Sequence, residues 1–219
     1  MHMADALVSP PVATGMAVAS LAVGAYSIFK IKKENKPENI PVMGVMGAFV
    51  FATQMVNFTI PGTGSSGHLC GGLLLSALIG PYGGFLSMMA ILLLQCLLFA
   101  DGGLMAYGCN VWNMAFYACF FGYFCIYKPI LRKNPSKKKI LIASILGSVL
   151  SLQLGAFSVT LETLISGITE LPFLTFLSFM QPIHLAIGFV EGLITSAVLI
   201  FVYNTRPEML NINEKSNEF

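Results

Sequence analysis

The chain has 219 residues, of which 56% are hydrophobic and only 10% are charged, and its formal net charge is +2. A soluble domain carries about 25% charged residues, so this composition excludes an ordinary soluble protein and indicates a polytopic membrane protein. The charges are also clustered, since residues 39–100 contain no Asp, Glu, Lys or Arg.

The first apolar segment, Pro11–Ile31, is long enough to cross a bilayer, which takes about 20 residues. Lys32 and Lys33 follow it, and basic residues concentrate on the cytoplasmic side of membrane proteins. A secretory signal peptide would need a basic start, but no Lys or Arg precedes Lys30. We therefore expect the amino terminus to be retained and to lie outside the cell.

A second segment, Pro41–Phe58, returns to the outer side and leads into the Gly-, Ser- and Thr-rich loop Thr59–His68. The next apolar run, Leu69–Ile79, reaches only roughly 17 Å, short of a hydrocarbon core about 30 Å thick. Irregular backbone at that depth is tolerated where it is buried or lines a cavity, and broken helices mark binding sites in transporters. We therefore predict that the loop sinks into the bundle and that His68 starts the short helix inside the protein.

Four later segments complete the predicted crossings, and the clusters Lys128–Lys139 and Arg206 follow two of them. Seven crossings put every basic cluster on one side, whereas six would place one cluster outside. We predict an all-α integral membrane protein with one domain of seven transmembrane helices, residues 1–206. Its third helix is short, its amino terminus is outside and folded back into the bundle, and its polar tail, residues 207–219, is cytoplasmic. The later segments are Phe85–Phe99, Asn110–Tyr127, Ile140–Leu161 and Ile183–Tyr203.

The first two residues, Met1 and His2, form a metal chelator if the amino terminus is free. The amine nitrogen and the backbone nitrogen of His2 close a five-membered ring on a metal. The same backbone nitrogen and the near ring nitrogen of His2 close a six-membered ring. Three nitrogens in a plane leave one corner open, and a planar four-nitrogen set suits Cu(II) or Ni(II) and, less strictly, Co(II). The alternative is a histidine that lies by accident in a flexible terminus.

His68 is the candidate for the open corner, because it shares the outer location of the terminus. The stretch Met3–Pro10, at about 3.3 Å per extended residue, lets the amine reach the outer half of the bundle. The alternative is that His68 is a hydrogen-bonded packing residue. Because binding strips protons from the ligands, we expect affinity to fall as the pH drops through about 6.5. Candidate residues that hold the loops in place are Gln54, Asn57, Thr59 and Ser65.

His184 and Glu191 lie about two helical turns apart, so they share one face of the last helix. Ionisable residues inside a membrane helix are costly and usually functional. The sequence leaves three roles open for this pair, namely a structural pair, a docking feature for a partner, or a second metal site. We also expect Asp101 to form an outer helix-end network with Asn110 and Asn113.

No motif in the sequence predicts an enzyme or a nucleic-acid-binding protein. It has neither a His-Glu-x-x-His motif nor a P-loop, and no basic stretch interleaved with aromatic residues. Uphill transport of a metal would therefore need ATPase subunits on other chains. An ion channel, or a membrane component that binds a vitamin, is the alternative class, in which Met1 and His2 have no metal role.

Five motifs stand out in combination: Met1–Asp5, Ser65–Gly72, Phe99–Leu104, Asn110–Ala115 and His184–Gly192. Together they resemble the NikM/CbiM family, the substrate-binding membrane components of energy-coupling factor (ECF) importers for nickel and cobalt. The resemblance covers Met1 to about Arg206. It departs at Asp5-Ala6, where family members commonly have an acidic residue and a glycine, so the resemblance does not extend to the backbone path there.

The resemblance implies seven membrane helices and a metal site made by the Met1 amine, the His2 amide and imidazole, and the His68 imidazole. It implies a multi-pass protein of a prokaryotic cell membrane. Its partners would be a transmembrane coupling protein, two ABC ATPase subunits and often a small accessory membrane protein. The transported substrate would be Ni(II) or Co(II). The planar four-nitrogen set favours Ni(II), and a cobalt-dedicated component of the same family is the alternative.

Overall fold

The computed structural model describes residues 1–34, 39–169 and 171–211. Within these ranges every helix below except α2 is long and apolar enough to cross a membrane, so the chain is a multi-pass membrane protein, as its composition predicted. Single 3₁₀ turns, Asp5–Leu7 and Pro207–Met209, flank the bundle. In chain order the elements are α1 (Pro10–Glu34), α2 (Asn39–Gln54), β1 (Phe58–Ile60), β2 (Ser65–Gly67), α3 (Gly72–Phe99), α4 (Tyr107–Leu131), α5 (Lys137–Ser166) and α6 (Phe173–Thr205).

Small residues let the helices approach closely, because lipid removes most of the hydrophobic drive between membrane helices and leaves packing to hold them. Gly188 of α6 faces α5, where an added Cβ would lie 2.9 Å from the Cα of Val149. On the other side of the bundle, Ser20 of α1 donates a hydrogen bond of 2.7 Å to the carbonyl of Gly108 in α4. The middle of α4, Trp112–Tyr127, is wound as a π-helix.

The helix α3 is broken at Gly80 and Pro81. Gly80 has φ +80° and ψ 160°, a conformation that is essentially restricted to glycine. A Cβ added to Gly84 would lie 2.7 Å from Oγ of Ser76, although residues eight apart in a straight helix are separated by about 12 Å. The two parts of α3 therefore fold back on each other, and we call Gly72–Ile79 the short half.

The basic clusters meet at one end of the bundle, which we call the basic end. The ammonium group of Lys30 lies 5.4 Å from the ring centre of Tyr26, and that ring lies 5.9 Å from Tyr82, next to the break in α3. Tyr82 in turn lies 6.5 Å from Phe124, whose ring is 5.9 Å from the ammonium group of Lys128.

The end of α6 joins the same region, since the Tyr203 hydroxyl donates to the Pro135 carbonyl at 3.0 Å. The residues before α1 and the hairpin β1–β2 lie at the opposite end, which we call the site end. The basic clusters of the sequence thus lie at one end of the folded molecule, opposite the arm and the hairpin.

Three boundaries differ from the sequence-based expectation. The last helix begins at Phe173 rather than Ile183, because it continues through Pro182, which membrane helices tolerate. The second helix ends at Gln54, and the residues from Phe58 to Ile60 form a strand instead. His68 does not start the short helix but precedes its first residue, Gly72, by four positions.

Candidate metal centre

The residues before α1 form an arm, Met1–Leu7, that folds back into the site end. Met3 pairs with Ser65 in an isolated antiparallel bridge, and Gly103 donates a backbone hydrogen bond of 2.9 Å to the Met3 carbonyl. The side chain of Asn110 accepts from the Met3 amide at 2.7 Å and donates to its carbonyl at 3.2 Å. The arm is therefore held on both sides, by β2 and by the start of α4.

Met1 is buried at the base of this arm, with only 2% of its surface exposed. Its amine donates to the carbonyl of Ser66 and lies 3.3 Å from Nε2 of His68. Its thioether lies against Gly155 of α5, where an added Cβ would lie 2.9 Å from the sulfur. The Met1 side chain thus packs against a glycine of α5 that also faces the backbone carbonyl of Asn113 in α4.

The ring of His68 is oriented by its own chain. Nδ1 lies 2.8 Å from the carbonyl of Leu69, and because a carbonyl can only accept, Nδ1 carries the proton. The lone pair of the ring is then on Nε2, which faces the Met1 amine. A backbone carbonyl that fixes the tautomer of an imidazole in this way is typical of metal-ligating histidines.

His2 completes the cluster. Its ring stacks on that of His68 with centres 4.6 Å apart, and its backbone N–H donates to no group in the described part of the chain. Nδ1 of His2, however, lies 3.1 Å from a carboxylate oxygen of Asp101. A metal bound through Nδ1 would therefore have to replace the Asp101 contact.

Asp101 lies at the site end, but its partners differ from those that the sequence predicted. It accepts a hydrogen bond of 2.7 Å from Asn57, as well as facing His2. The expected network of Asp101 with Asn110 and Asn113 is wrong, because Asn110 binds Met3 and Asn113 donates to Glu162 at 2.7 Å.

Burial controls the protonation of these groups. It lowers the pKa of the Met1 amine from 8.0 to about 5. Burial also lowers the pKa of His2, and it holds the pKa of His68 well below 6.5, helped by the nearby amine and His2. Burial alone would raise the pKa of Asp101, but His2, the Met1 amine and the Asn57 hydrogen bond together outweigh burial and the pKa is lowered. The three nitrogen groups are therefore neutral at pH 7 and have lone pairs available for a metal.

The pH window differs accordingly from the expected value of about 6.5. A depressed pKa means that a proton competes with a metal only at lower pH, around the value of about 5 for the amine.

The thiol pKa of Cys70, which lies two residues after His68, is shifted in the opposite direction. Burial, followed by the charge of Glu191, raises the pKa of its thiol well above the ordinary value, so it stays a thiol and a poor ligand.

The four residues predicted to hold the loops act in different ways. Gln54 donates to the carbonyl of Cys70 at 2.5 Å, and Asn57 reaches the site through Asp101. Thr59 and Ser65 belong to the paired strands β1 and β2, so their backbones help to hold the hairpin in place. Both residues also line a cavity of about 370 Å³ that opens beside His2.

The structure places His184 and Glu191 on α6 but gives them separate contacts. The carboxylate of Glu191 accepts from the backbone N–H groups of Cys70 at 2.5 Å and of Gly71 at 3.1 Å. Nδ1 of His184 donates to the Met180 carbonyl at 2.8 Å, within its own helix. Glu191 therefore anchors the chain that follows His68, which helical spacing alone did not reveal.

A side-chain pattern does not identify this centre. Among the described residues, no group of three or more His, Cys, Asp or Glu is placed to hold a metal. The nitrogen cluster instead contains two imidazoles, a terminal amine and a backbone amide. Sequence reasoning missed the contributions of Gly155, Asn110 and Glu191, and only the polar residues among them stood out in an apolar sequence.

Comparisons with known proteins give matches over nearly the whole chain. Residues 2–209 match the family model described as the cobalt uptake substrate-specific transmembrane region. A putative fused nickel transport protein NikMN of Archaeoglobus fulgidus is 36% identical over 210 residues, which cover 96% of this chain and 68% of that protein. A cobalt transport protein CbiM of Acetoanaerobium sticklandii is 32% identical, over 95% of this chain and 85% of that protein.

A solved structure is also similar. The crystal structure of a truncated transition metal transporter matches with a TM-score of 0.84 and 29% identity. The match covers 93% of this chain and 99% of that chain, so it includes the helical bundle nearly in full.

Proposed function

The chain belongs to the CbiM family of substrate-specific membrane components for metal uptake, and we propose that it captures Ni(II) with its own amino terminus. The observation that carries this proposal is the distance of 3.3 Å between the Met1 amine and Nε2 of His68. The bond from Nδ1 to the Leu69 carbonyl leaves Nε2 free to bind. These two nitrogens lie beside each other at the base of the arm, as two ligands of one metal must.

The proposed ligands are the Met1 amine, the His2 amide, the near ring nitrogen of His2 and Nε2 of His68. Such a planar set of nitrogens suits Ni(II) better than Co(II), which remains the alternative substrate. Relatives named for nickel and for cobalt both support a metal of this group. On binding, His2 exchanges the contact of Nδ1 with Asp101 for the metal, and its amide loses a proton.

We propose seven crossings, with the site end outside and the basic end in the cytoplasm. The two parts of α3 count separately, because the chain reverses at Gly80. Basic residues at the ends of α1, α4 and α6 then all lie inside, as positively charged loops generally do. The substrate accordingly enters from outside, past Asp101 and the cavity beside His2.

Transport inward requires other chains. We propose a transmembrane coupling protein and two ABC ATPase subunits as partners, with a small accessory membrane protein in some assemblies. This chain supplies capture and selectivity, and the ATPase subunits supply the energy. Glu191 positions the loop that carries His68, and His184 packs within α6 without binding the metal.

Elemental analysis and metal titration of purified protein test the proposal. Protein with a native amino terminus should hold one Ni(II) per chain, and an added residue before Met1 should lower the affinity by more than roughly 100-fold. His68→Ala should do the same, whereas His184→Ala, a matched change of another buried histidine, should leave binding intact. Equal affinity with a blocked amine would exclude the amine as a ligand. Tighter binding of Co(II) than of Ni(II) would assign the chain to cobalt.

A further inference from the structure

The break in α3 leaves a backbone group without its usual helical partner. In a helix the amide of residue 81 would donate to the carbonyl of Ala77, but Pro81 has no N–H. Ala77 is fully buried, so water cannot replace the missing donor. A buried carbonyl of this kind needs a partner from elsewhere in the molecule.

That partner comes from the chain after α6. The backbone N–H of Asn211 donates to the Ala77 carbonyl at 2.8 Å, and the carbonyl of Asn211 accepts from the Tyr123 hydroxyl at 2.7 Å. The side-chain amide of Asn211 lies beside Gly80, where an added Cβ would be 2.9 Å away. Leu210 is buried in the core, with 5% of its surface exposed. We call the segment Pro207–Asn211 the latch.

The latch binds one end of the short half of α3, and a second contact from the same side of the bundle binds the chain just before its other end. At the site end, Glu191 binds the amides of Cys70 and Gly71, just before the short half begins. At the basic end, Asn211 binds Ala77, near where it finishes. Both contacts come from α6 and the residues that follow it. The same stretch of chain therefore binds both ends of the short half, and the short half follows directly after the loop that carries His68.

We infer that the latch controls how tightly the metal is retained. Detaching Leu210 and Asn211 frees the Ala77 carbonyl, loosens the short half, and lets the His68 loop move away from the Met1 amine. This inference rests on the proposed function for its metal readout. Within the latch only Leu210 is buried, while Pro207–Met209, and Arg206 before them, are exposed at the basic end. A partner at that end could therefore act on the metal centre without touching it.

The first test measures how fast bound Ni(II) leaves the purified full chain in nanodiscs when a chelator is added. Asn211→Pro removes the N–H, and Leu210→Ser removes the buried side chain. Each change should speed release by about fivefold, the effect of one net hydrogen bond or more. Glu208→Ala is the matched control, because Glu208 lies in the same segment, is exposed, and among the described residues forms a salt bridge only with Arg206, at 3.5 Å. Unchanged release in both latch variants would overturn the inference.

The second test does not depend on metal. Cys119 is fully buried and its thiol lies 3.4 Å from the Gly72 carbonyl at the start of the short half. With Cys96 and Cys125 replaced by Ser, a maleimide should label Cys119 faster in both latch variants than in the Glu208→Ala control. Cys109, which is buried in α4 before its π-helical middle, is the internal reference and should not change.

Together, metal release and Cys119 labelling test the latch separately from the proposed Ni(II) function. Faster labelling of Cys119 together with faster loss of Ni(II) supports the latch. Unchanged labelling overturns it, and so does faster labelling with unchanged metal release, because the latch would then not reach the metal. If the unaltered protein binds no Ni(II) while the latch variants still expose Cys119, the proposed function fails and the hold of the latch on the short half is supported.

Discussion

At the scale of single residues, the proposed metal centre depends on which nitrogens are protonated. The Met1 amine and both imidazoles lie in an environment that disfavours charge, and the Leu69 carbonyl fixes the tautomer of His68. The Asp101 carboxylate counteracts this by favouring a charged His2. The site therefore disfavours protons on these nitrogens and leaves their lone pairs available for a metal cation.

This environment predicts how many protons a metal displaces. At pH 7 the amine, whose pKa is about 5, and the imidazoles, whose pKa values are lowered, are already neutral. Only the His2 amide then loses its proton, so Ni(II) binding should release about one proton per metal. As the pH falls through about 5 the amine becomes protonated, and the count should rise while the affinity falls more steeply.

Calorimetric titration in buffers of different ionisation enthalpy measures this number directly. A synthetic peptide with the sequence of Met1–Leu7 is the control, since its exposed amine has an ordinary pKa near 8 and should release about one proton more at pH 7. The same proton count for the peptide and the protein would show that the folded site does not hold the amine neutral.

The sequence could single out Met1 and His2 as a candidate chelate because such a chelate depends on covalent neighbours, which the sequence states directly. His68 was predicted from the shared outer location, and the structure brings it beside them. It could not identify Glu191 as the anchor of the His68 loop. That contact joins residues more than a hundred positions apart, and neither helical periodicity nor residue type carries such a pairing.

At the scale of elements, the short third segment was the most informative sequence feature. An apolar run too short to cross a bilayer predicted a broken helix with a buried loop before it. The structure has the break at Gly80 and Pro81 and a buried His68. The sequence did not show that the loop would form a β-hairpin, because Ser and Gly strands lack the alternating apolar pattern that indicates a strand.

The packing of the arm against α5 can be tested at Gly155. A Cβ there would lie closest to the backbone carbonyl oxygen of Asn113 in α4 and 2.9 Å from the Met1 sulfur, closer than packed atoms allow. Gly155→Ala should therefore push α4 away from α5, displace Met1 and lower Ni(II) affinity by about tenfold or more, as overpacking costs of about 1–3 kcal/mol predict. Metal titration of the purified variant gives the affinity.

Gly188→Ala is the matched control, because a Cβ added there also meets the backbone of a neighbouring helix, at 2.9 Å from the Cα of Val149, and its three nearest atoms belong to α5 rather than to the arm. Thermal unfolding without metal, measured for both variants, shows how much of the effect is general destabilisation. An unchanged affinity in Gly155→Ala would mean that the Met1 side chain does not determine where the amine lies.

At the scale of the whole molecule, the distribution of charge carried more information than its total. A net charge of +2 says little, but the positions of the basic clusters predicted that the ends of α1, α4 and α6 lie together. The contacts from Lys30 through Tyr82 and Phe124 to Lys128 bring the ends of α1 and α4 together. The hydrogen bond from Tyr203 to the Pro135 carbonyl adds the end of α6. Hydropathy located the helices but not their partners, because every face of a membrane helix is apolar.

The proposed orientation predicts which residues are reached from outside the cell. In a variant with Cys96 and Cys125 replaced by Ser, Ile168→Cys places a thiol at the site end, where Ile168 is 48% exposed. Lys133→Cys places one at the exposed loop of the basic end. A membrane-impermeant maleimide added to intact cells should label the first and not the second, because the basic end faces the cytoplasm. After the cells are permeabilised both should react, and labelling of Lys133→Cys in intact cells would reverse the orientation and put the Met1 amine on the wrong side for uptake.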